Sequence, residues 1–486
     1  MRYVVMGGGV AGVCCAEELC KLCHDDEVVL VSSYKTLKGV GNVVKYTDNL
    51  ENFEIVERDL TSLPYANLTV QQGTAAGLSA GGKQVFLSNG KRLLYDKLCV
   101  CTGANPKAVA NSPHVVVLRD QGTIEALAHR LPGKRRVVLV GNGGIALEVA
   151  HALSGVEVIW AVKHKHIEPV QPQQISQGSD DKQPAEATIK TQQGTMQFGH
   201  AVGPQWAKAL PQSSIASHIT LEYGVDVTSI QSHTPDDNPM QHPTQPHAGP
   251  SEHQSASQTS SDTEQQRVNS AGDQDAAWPV TVCLSNGKSY GADLVISAIG
   301  VEPNTGWLPE EVCRDESDGG IIVDRLMQSS VPAVYAAGDA CTIAWTDQSP
   351  HWFQMRLWTQ ARIQGMFAAH AMAGVTDEMA FGFNFELFTH ITRFCGQKVV
   401  LLGLYNGQGL HHEPEEDMVT YSRTTQGLNP TFVRVLLLRG RMQGAVLIGE
   451  TELEETFEHL ILDGLDLTRY GSDLLAPDVE LEMIFD

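Results

Sequence analysis

The sequence predicts an α/β fold in which two domains with parallel sheets precede a smaller α+β domain. A short apolar run enters a glycine-rich turn and a helical pattern at the N-terminus, and the same order returns at Arg135–Glu148. Each copy is followed by strand-like segments and by an apolar strand that ends in glycine, at Gly103 and at Gly300. Beyond residue 376, strands alternate with one helix. Alternating strands and helices are typical of parallel sheets covered by helices.

Composition and charge exclude several classes of function. With 486 residues, 42% of them hydrophobic, the chain is long enough for several domains with their own cores. The net charge of -23 and the lack of a basic run argue against a nucleic-acid-binding face and favour a basic partner surface. No apolar stretch reaches the roughly 18 residues of a membrane span, and no targeting segment is recognised before the first strand. We therefore expect a protein of the cytosol, with the nucleus as an alternative.

The 10 cysteines are expected to be mostly reduced thiols. We interpret those on the first helix and on a later strand as small buried side chains. The Cys-x-x-Cys at Cys20–Cys23 ends the first helix, and no further ligands stand at a suitable spacing, so no metal site is predicted. The cysteines concerned are Cys14, Cys15, Cys20, Cys23, Cys99 and Cys101.

The first glycine-rich turn reads Gly7-x-Gly9-x-x-Gly12. Gly7 permits the turn, Gly9 lets a pyrophosphate approach the backbone, and Gly12 lets the helix pack closely on the strand. The helix entered through Val10 and Ala11 offers free N–H groups and the positive end of its dipole. We assign these five residues to a dinucleotide site.

The stretch after the first helix contains further candidates. Segment 28–32 is predicted to be a strand ending at Ser32, where an acidic residue more often binds a ribose; a serine hydroxyl would bind it more weakly. Segment 34–46 is predicted to be a loop. Its three lysines could each face a cofactor or simply be solvated: Lys35, Lys38 and Lys45.

The second glycine-rich turn reads Gly141-x-Gly143-x-x-Ala146, and alanine is an accepted variant at the third position. The strand that follows ends without an acidic residue; Val162 occupies that place, and Lys163 and Lys165 stand beside it. Basic residues at this place could accept the 2′-phosphate of NADPH, so the sequence is compatible with both NADPH and NADH.

An insertion interrupts this second copy. From about Glu168 to Asp275 the chain is rich in Gln, Ser, Pro, His and Thr, which predicts a disordered or looping segment. Two stretches inside it, 217–222 and 225–228, read as strands. The histidines of the insertion are irregularly spaced, and no metal is predicted there.

The third part of the chain carries a strand that ends in Gly338-Asp339, so the carboxylate projects from the tip of the strand. The helix predicted over Leu357–Ala373 could direct its positive N-terminus at a cofactor. The rest alternates strands with a helix predicted over Leu453–Leu462.

These motifs, taken in order, resemble the pyridine nucleotide-disulphide oxidoreductase superfamily of flavoproteins with two dinucleotide-binding domains. The resemblance implies FAD on the first half, NAD(P)H on the second, and a C-terminal α+β interface domain. The implied divisions are an FAD-binding domain at 1–118 and 301–375, an NAD(P)-binding domain at 119–300 with an insertion at about 168–276, and an interface domain at 376–486 with an acidic tail at 477–486.

The resemblance also implies roles for single residues. Asp339 would hold the ribityl chain, Glu148 would lie near the contact between nicotinamide and flavin, and Lys38 matches the loop lysine of the family in preference to Lys45. We therefore predict Lys38 and Glu148 as catalytic. The other residues assigned to cofactor binding are Ser32, Thr74, Ala75, Thr102, Gly103, Gly141, Gly143, Gly144, Ile145, Lys163, Gly300, Gly338 and Thr359.

The redox dithiol of the disulphide reductases should lie in segment 37–50, which contains no cysteine. The chain is therefore not expected to reduce disulphides by the usual relay, nor to act like an NADH peroxidase. It most resembles a branch of the superfamily that lacks the dithiol. That branch implies a cytosolic and nuclear FAD enzyme that oxidises NAD(P)H and binds the catalytic subunit of the tRNA ligase complex, protecting it from oxidative inactivation. The matching stretches are 140–148, 156–161, 355–362, 444–457 and 470–475.

Two features leave alternatives open. After Lys165 the family has a phenylalanine-containing helix, whereas this chain has segment 167–172 with two prolines, which puts nicotinamide binding in question. The tail 477–486 alternates acidic and apolar residues; it is either solvated or docks into a partner. The alternatives to partner protection are a reductase of a soluble acceptor (rubredoxin, ferredoxin or quinone) and a flavin-binding scaffold without catalysis.

Overall fold

The computed structural model describes residues 1–119, 121–163, 188–193, 218–233, 278–345, 349–375, 385–394, 396–425 and 429–476. The chain divides into two compact units. The first unit consists of Met1–Pro106, His166–Ser214 and Gly300–Asp486, and the second consists of Lys107–Lys165 and Ile215–Ile299. No described helix is long and apolar enough to cross a membrane.

The described elements are numbered in chain order. The helices are α1 Val10–Leu22, α2 Gln121–Arg130, α3 Gly144–Ala152, α4 Trp358–Ala373 and α5 Glu454–Asp463. The strands are β1 Arg2–Met6, β2 Glu27–Ser32, β3 Thr36–Lys45, β4 Glu51–Asp59, β5 Leu68–Gln72, β6 Ala75–Ser79, β7 Gln84–Leu87, β8 Arg92–Leu94, β9 Lys97–Val100, β10 Ala104–Pro106, β11 Val115–Val117, β12 Arg136–Val140, β13 Glu157–Val162, β14 Thr188–Gln193, β15 Ile219–Tyr223, β16 Val227–Ser232, β17 Val280–Leu284, β18 Ser289–Ala292, β19 Leu294–Ser297, β20 Val301–Pro303, β21 Ile321–Val323, β22 Val334–Ala336, β23 Cys341–Ile343, β24 Thr389–Phe394, β25 Gln397–Gly403, β26 Met418–Thr425, β27 Thr431–Leu438 and β28 Arg441–Ile448.

The centre of the first unit is a five-stranded sheet in the order β22-β9-β1-β2-β5. All four pairings in this sheet are parallel. Nearly every residue of β1, β2 and β9 is buried, which is the pattern of a strand covered on both faces. Helices α1 and α4 pack against each other beside this sheet and contribute to its hydrophobic core. The predicted strand over 28–32 is confirmed as β2.

The segment predicted to be a loop, 34–46, is instead mostly β3. Strand β3 pairs antiparallel with β4, with a bulge between Gly41 and Val44. The loop prediction was wrong because β3 forms its hydrogen bonds with β4, which lies beyond a turn. The residues of β3 alone do not show that such a partner follows. The turn is held to the C-terminal part of the same unit, since Thr47 and the Asn49 amide both donate to the buried Glu458 carboxylate.

The second unit has its own parallel sheet, in the order β11-β19-β12-β13-β15, and a three-stranded antiparallel sheet, β16-β17-β18. The stretches 217–222 and 225–228, predicted as strands inside the insertion, correspond to β15 and to the start of β16. Strand β15 pairs in parallel with β13 over five residues, from Val158↔Ile219 to Val162↔Tyr223. The residues of β15 are therefore part of the parallel sheet and those of β16 pair with β17, so neither strand belongs to a looping insertion.

The C-terminal part of the first unit is built on a six-stranded antiparallel sheet, β14-β26-β27-β28-β25-β24, with α5 against one face. Its edge strand β14 lies within the predicted insertion and pairs with β26 from Thr188↔Thr424 to Gln193↔Val419. The prediction of a disordered or looping insertion was therefore wrong for these six residues, which form hydrogen bonds with a strand far along the chain. Most of the remaining predicted insertion lies outside the described residues. The predicted fold class is confirmed.

Candidate dinucleotide sites

The first glycine-rich turn lies where the carboxyl ends of β1 and β9 meet. Gly7 has a φ of 132°, and a Cβ built on it would lie 1.9 Å from the carbonyl oxygen of Cys101. A Cβ on Gly12 would lie 1.9 Å from the carbonyl oxygen of Gly7. A Cβ on Gly9 would meet no atom within 4 Å. The turn is therefore closed by backbone at Gly7 and Gly12 and open at Gly9, as a backbone that receives a phosphate should be.

Helix α1 begins directly after this opening. Its N-cap is Gly9, no described side chain caps it, and its first turn contains no acidic residue. The first N–H groups of the helix therefore receive no side-chain acceptor from the described part of the chain. Together with the positive end of the helix dipole, they fit an anionic phosphate at Gly9.

Ser32 stands at the end of β2, as predicted, but its side chain is 0% exposed. Its hydroxyl donates to the carbonyl oxygen of Thr36 (3.4 Å) and accepts from the N–H of Tyr34 (3.2 Å). The hydroxyl thus organises the turn after β2, and ribose binding by Ser32 stays a prediction.

Gly8 is a site residue that the sequence reasoning missed. A Cβ on Gly8 would lie 2.4 Å from the Ser32 hydroxyl oxygen. The N–H of Lys38 donates to the Gly8 carbonyl oxygen at 2.9 Å, which places the backbone of Lys38 directly beside the turn. The run of three glycines from Gly7 to Gly9 was the available signal.

The other predicted residues of this half lie at neighbouring strand ends. Gly73 N–H donates to the Ser32 carbonyl oxygen at 2.8 Å, so Thr74 and Ala75, which follow it, lie near the end of β2. Thr102 donates through its hydroxyl to the carbonyl oxygen of Asn304 at 2.8 Å. The N–H of the same asparagine donates to the Gly103 carbonyl oxygen at 2.8 Å.

The predicted Gly338-Asp339 motif forms a short 3₁₀ turn after β22. A Cβ on Gly338 would lie 2.8 Å from the Cβ of Ala11, and a Cβ on Gly365 would lie 2.2 Å from the Ala11 carbonyl oxygen. The turn, α1 and α4 therefore meet at Ala11, where only very small residues fit.

The start of α4 carries an unsatisfied polar group. The predicted helix over Leu357–Ala373 is confirmed as α4, and its N-cap residue, Leu357, forms no side-chain cap hydrogen bond in the described part of the chain. The hydroxyl oxygen of Thr359 is buried and has no hydrogen-bond partner among the described residues. Buried polar groups are rarely left without a partner, so this hydroxyl fits a ligand at the N-terminus of α4.

The second glycine-rich turn repeats the plan of the first within the second unit. Gly141 has a φ of 137°, and a Cβ on it would lie 2.2 Å from the Ala298 carbonyl oxygen. Gly143 is open and is the uncapped N-cap of α3, which begins at Gly144. Trp160, which sequence reasoning did not assign to the site, donates its indole N–H to the Gly141 carbonyl oxygen at 2.8 Å. A tryptophan in a buried strand was the signal, because its N–H needs a partner.

The structure describes most of the residues that were predicted to bind NAD(P)H around α3. Ile145 and Glu148 are exposed on the helix, and desolvation by the surrounding protein raises the pKa of the Glu148 carboxyl. Lys163 stands at the end of β13, where its ammonium nitrogen lies 3.4 Å from a carboxylate oxygen of Asp226. Gly300 has a φ of 97° and follows β19. Lys165 and segment 167–172 lie outside the described residues.

The described cysteines carry free thiols. Cys99 and Cys101 are buried with their sulfur atoms 3.5 Å apart, and the pKa of each lies well above its usual value. Burial also raises the pKa of Cys14 and of Cys20 to about 12. These thiols therefore stay protonated at neutral pH, which makes them poor nucleophiles. No described group of three or more His, Cys, Asp or Glu residues could hold a metal ion.

Comparison with known proteins agrees with this geometry. The family described as pyridine nucleotide-disulphide oxidoreductase matches residues 1–235 and 253–365. The chain is 37% identical over 514 residues to pyridine nucleotide-disulfide oxidoreductase domain-containing protein 1 of Pongo abelii, covering 100% of this chain and 98% of the relative. It is 39% identical over 515 residues to the protein of the same name from Danio rerio, with the same coverage.

Among solved structures, the NAD-dependent persulfide reductase from A. fulgidus has a similar fold. The TM-score is 0.65 at 19% identity, covering 96% of this chain and 78% of that one. The full-length relatives and the match over most of the residues show that this chain belongs to the pyridine nucleotide-disulphide oxidoreductase family, whose general chemistry is NAD(P)H-dependent oxidation and reduction.

Proposed function

We propose that the protein is an FAD-dependent NAD(P)H oxidoreductase without a redox dithiol, with FAD on the first unit and NAD(P)H on the second. The observation that carries this proposal is the paired cradle. In each unit a glycine at positive φ presses against a backbone carbonyl oxygen, and an open glycine precedes an uncapped helix. Each cradle, the glycine-rich turn together with the start of the following helix, fits the pyrophosphate of one dinucleotide.

The residues of the first unit fit the parts of FAD. Gly9 and the N-terminus of α1 would bind the pyrophosphate, and Asp339 would hold the ribityl chain. The Thr359 hydroxyl, which has no partner in the described part of the chain, would donate or accept a hydrogen bond at the flavin end. The N-terminus of α4 would stabilise negative charge there. Bound FAD would supply reversible two-electron acceptance of a hydride, and Lys38 would add a positive charge beside it.

The residues of the second unit would bind and orient NAD(P)H. Gly143 and the N-terminus of α3 would bind its pyrophosphate, and Glu148 would lie near the nicotinamide. Because the pKa of Glu148 is raised, its carboxyl keeps a proton to higher pH than a solvated glutamate does. Lys163 would contact the 2′-phosphate of NADPH, in competition with Asp226.

The electrons must leave the flavin without a cysteine relay. Residues 34–59, which include β3 and β4, contain no cysteine. Cys99 and Cys101 are buried behind the pyrophosphate turn, and their raised pKa values disfavour a thiolate. The acceptor is therefore proposed to be oxygen, a soluble electron carrier or a bound partner rather than a disulphide.

The proposed cellular role is protection of the tRNA ligase complex from oxidative inactivation, in the cytoplasm and nucleus. Its support is the resemblance to the dithiol-free branch, together with the net charge of -23, which suits a basic partner. The proposed docking element is the acidic tail 477–486, which lies outside the described residues. Deleting the tail should abolish binding of the catalytic subunit in a pull-down and leave NADPH oxidation unchanged. Undiminished binding would contradict this role for the tail.

The enzyme proposal is tested by the absorbance of the purified protein. We expect a flavin spectrum that bleaches when NADPH is added without oxygen, and a protein that never binds added FAD would overturn the proposal. Slow oxidation with every small acceptor would favour partner protection, whereas fast turnover with one carrier would favour a soluble-acceptor reductase.

A matched pair of variants separates the two cradles. Gly9 and Gly143 both have extended backbone and open space around the Cβ position, so valine should fold at either place. Gly9→Val should empty the protein of flavin. Gly143→Val should keep the flavin but prevent its reduction by NADPH. Equal flavin content in wild type and Gly9→Val would contradict the assignment of FAD to the first cradle.

A further inference from the structure

The Gly338-Asp339 turn is held by two side chains that no motif predicted. Gln364 lies on α4 and is 1% exposed. Its side-chain oxygen accepts the N–H of Gly338 at 2.9 Å and lies 3.5 Å from the sulfur of Cys341. Gly338 has a φ of 73°, and its N–H would be buried without an acceptor if this amide were removed.

Arg356 holds the other side of the same turn. Its Nε donates to the carbonyl oxygen of Asp339 at 3.1 Å, and its Nη2 donates to a carboxylate oxygen of Asp318 at 2.7 Å. The guanidinium therefore bridges the turn and a carboxylate in the fixed fork geometry that only arginine offers.

Asp318 is itself built into the fold. Its carboxylate accepts the Thr342 hydroxyl at 2.8 Å and the Gly320 N–H at 2.8 Å. Burial opposes its ionisation, but these donors and Arg356 outweigh it and hold the pKa of Asp318 below its usual value. The carboxylate therefore stays charged at neutral pH and keeps Arg356 in place.

The two contacts fix the turn relative to both helices of the first cradle. Gln364 lies on the helix that begins with the unsatisfied Thr359 hydroxyl, and its neighbour Gly365 packs on the Ala11 backbone of α1. The turn is thus the point at which the pyrophosphate helix and the flavin-end helix are joined. The Gln364 and Arg356 contacts hold the backbone that carries the Asp339 side chain.

We propose that Gln364 and Arg356 are positioning residues that fix the two sides of the Gly338-Asp339 turn, and that retention of FAD depends on them. This inference rests on the proposed function. Loss of either contact should raise the dissociation constant of FAD about ten- to a hundredfold, mainly through faster release, because a buried or charge-assisted hydrogen bond is lost.

The test uses the full-length protein stripped of flavin and titrated with FAD, following the change in flavin fluorescence. Gln364→Leu removes the acceptor, and Gln364→Glu restores it. Arg356→Met removes both donations, and Asp318→Asn keeps the shape of its side chain while removing the charge that holds Arg356. We expect weak binding in both removal variants, partial rescue in Gln364→Glu, and an intermediate effect in Asp318→Asn.

Two control variants remove similar contacts elsewhere in the same unit. Asn67→Leu removes a side-chain amide that donates to the Cys23 and Asp26 carbonyl oxygens beyond the far end of α1. Arg439→Met removes an arginine that pairs with Glu413 and Asp417. Both should bind FAD as the wild type does. Thermal unfolding of each flavin-free variant monitors the fold, and the visible circular dichroism of bound flavin reports its orientation, which a merely structural role would leave unchanged.

The possible results separate this inference from the proposed function. Wild-type protein that never binds FAD sinks the proposed function, and that result needs no variant. Wild-type affinity and dichroism in Gln364→Leu and Asp318→Asn overturn the positioning role. An equal loss of affinity in the control variants also overturns it, because the effect then reflects general stability. If Arg356→Met does not fold, Asp318→Asn and the Gln364 pair still decide.

Discussion

The two glycine-rich turns have the same backbone geometry but differ in the residues that surround them. Both place a glycine at positive φ against a backbone carbonyl oxygen, with Gly7 against Cys101 and Gly141 against Ala298. The third position differs: Gly12 has no room for a Cβ, whereas Ala146 carries a fully buried methyl group. The helix of the second turn thus stands far enough away to admit one more carbon atom.

The supports of the two turns differ as well. The first turn is enclosed by the backbone of Cys101, directly after β9, and, through Ala11, by α4 and the Gly338 turn. The second turn lies against the Ala298 backbone and accepts the indole N–H of Trp160, but its helix exposes Ile145 to solvent. A deeply enclosed cradle suits a cofactor that stays bound, and a more open one suits a substrate that exchanges. This is the division proposed between FAD and NAD(P)H.

The largest effect is expected from exchanging the residues at the third position. Gly12→Ala forces a methyl group against the Gly7 carbonyl oxygen, so we expect loss of flavin and a drop of about 3 kcal/mol in the free energy of unfolding. Ala146→Gly should cost only about 1–2 kcal/mol, because glycine is a poor helix former and one buried methyl group is lost. Flavin absorbance and denaturant unfolding measure both. Equal behaviour of the two variants would remove the distinction between the cradles.

A smaller effect is expected from Trp160→Phe, which replaces the indole by a smaller aromatic ring and removes the N–H bonded to the Gly141 carbonyl oxygen. The second turn should loosen while the first does not change. We expect about a fivefold higher NADPH concentration for half-maximal flavin reduction, corresponding to one lost hydrogen bond. Anaerobic stopped-flow mixing gives this value, and the flavin content of the same preparation is the control. A loss of flavin would show that the substitution also disturbs the first turn.

The choice between NADPH and NADH should respond weakly to the exposed pair at the end of β13. Asp226→Asn frees the Lys163 ammonium group and should raise the preference for NADPH, and Lys163→Ala should lower it. Each change should be about two- to fivefold, because exposed ion pairs contribute little. Ratios of kcat/KM at low and high salt measure it, and the difference should shrink as salt screens the charges. If Asp226→Asn lowered the preference for NADPH and Lys163→Ala raised it, the 2′-phosphate would have to bind elsewhere.

The smallest effect on the cradle is expected from Cys101→Ala. The carbonyl oxygen of Cys101 and not its thiol meets Gly7, so flavin content should match the wild type. The raised pKa of the buried thiol keeps it in the unreactive SH form until the pH approaches that raised value. A maleimide at neutral pH should therefore label the exposed Cys313 first and leave Cys101 unlabelled until the protein unfolds. Rapid labelling of Cys101, shown by mass spectrometry, would contradict its burial.

Much of the two cradles could be predicted because their determinants are local. A glycine that needs positive φ, an open Cβ position and the start of a helix lie within six residues of one another in Gly7–Gly12. The same holds for the second turn and for helix α4, whose predicted bounds differ from the observed ones by one residue. Each feature depends on the chain's own backbone and not on a distant partner.

The features that could not be predicted depend on contacts outside the segment concerned. Strand β3 forms because β4 pairs with it, and β14 forms because β26 lies more than two hundred residues away in sequence but beside it in space. The sequence placed Ser32 at the end of β2, and only the fold shows that its hydroxyl also forms hydrogen bonds within the turn that follows. Pairing and burial decide such residues, and neither can be read from a single segment.

By itself, the sequence determined that this protein has two glycine-rich turns that each open a helix, a strand ending in Gly-Asp, and no cysteine in the segment after its second strand. These follow from backbone freedom and residue chemistry over a few positions. Only the tertiary structure decided how tightly each turn is enclosed, and that Gln364 and Arg356 hold the turn before Cys341. The reason is that enclosure depends on which backbone atoms meet across the core, and those atoms come from segments far apart in the chain.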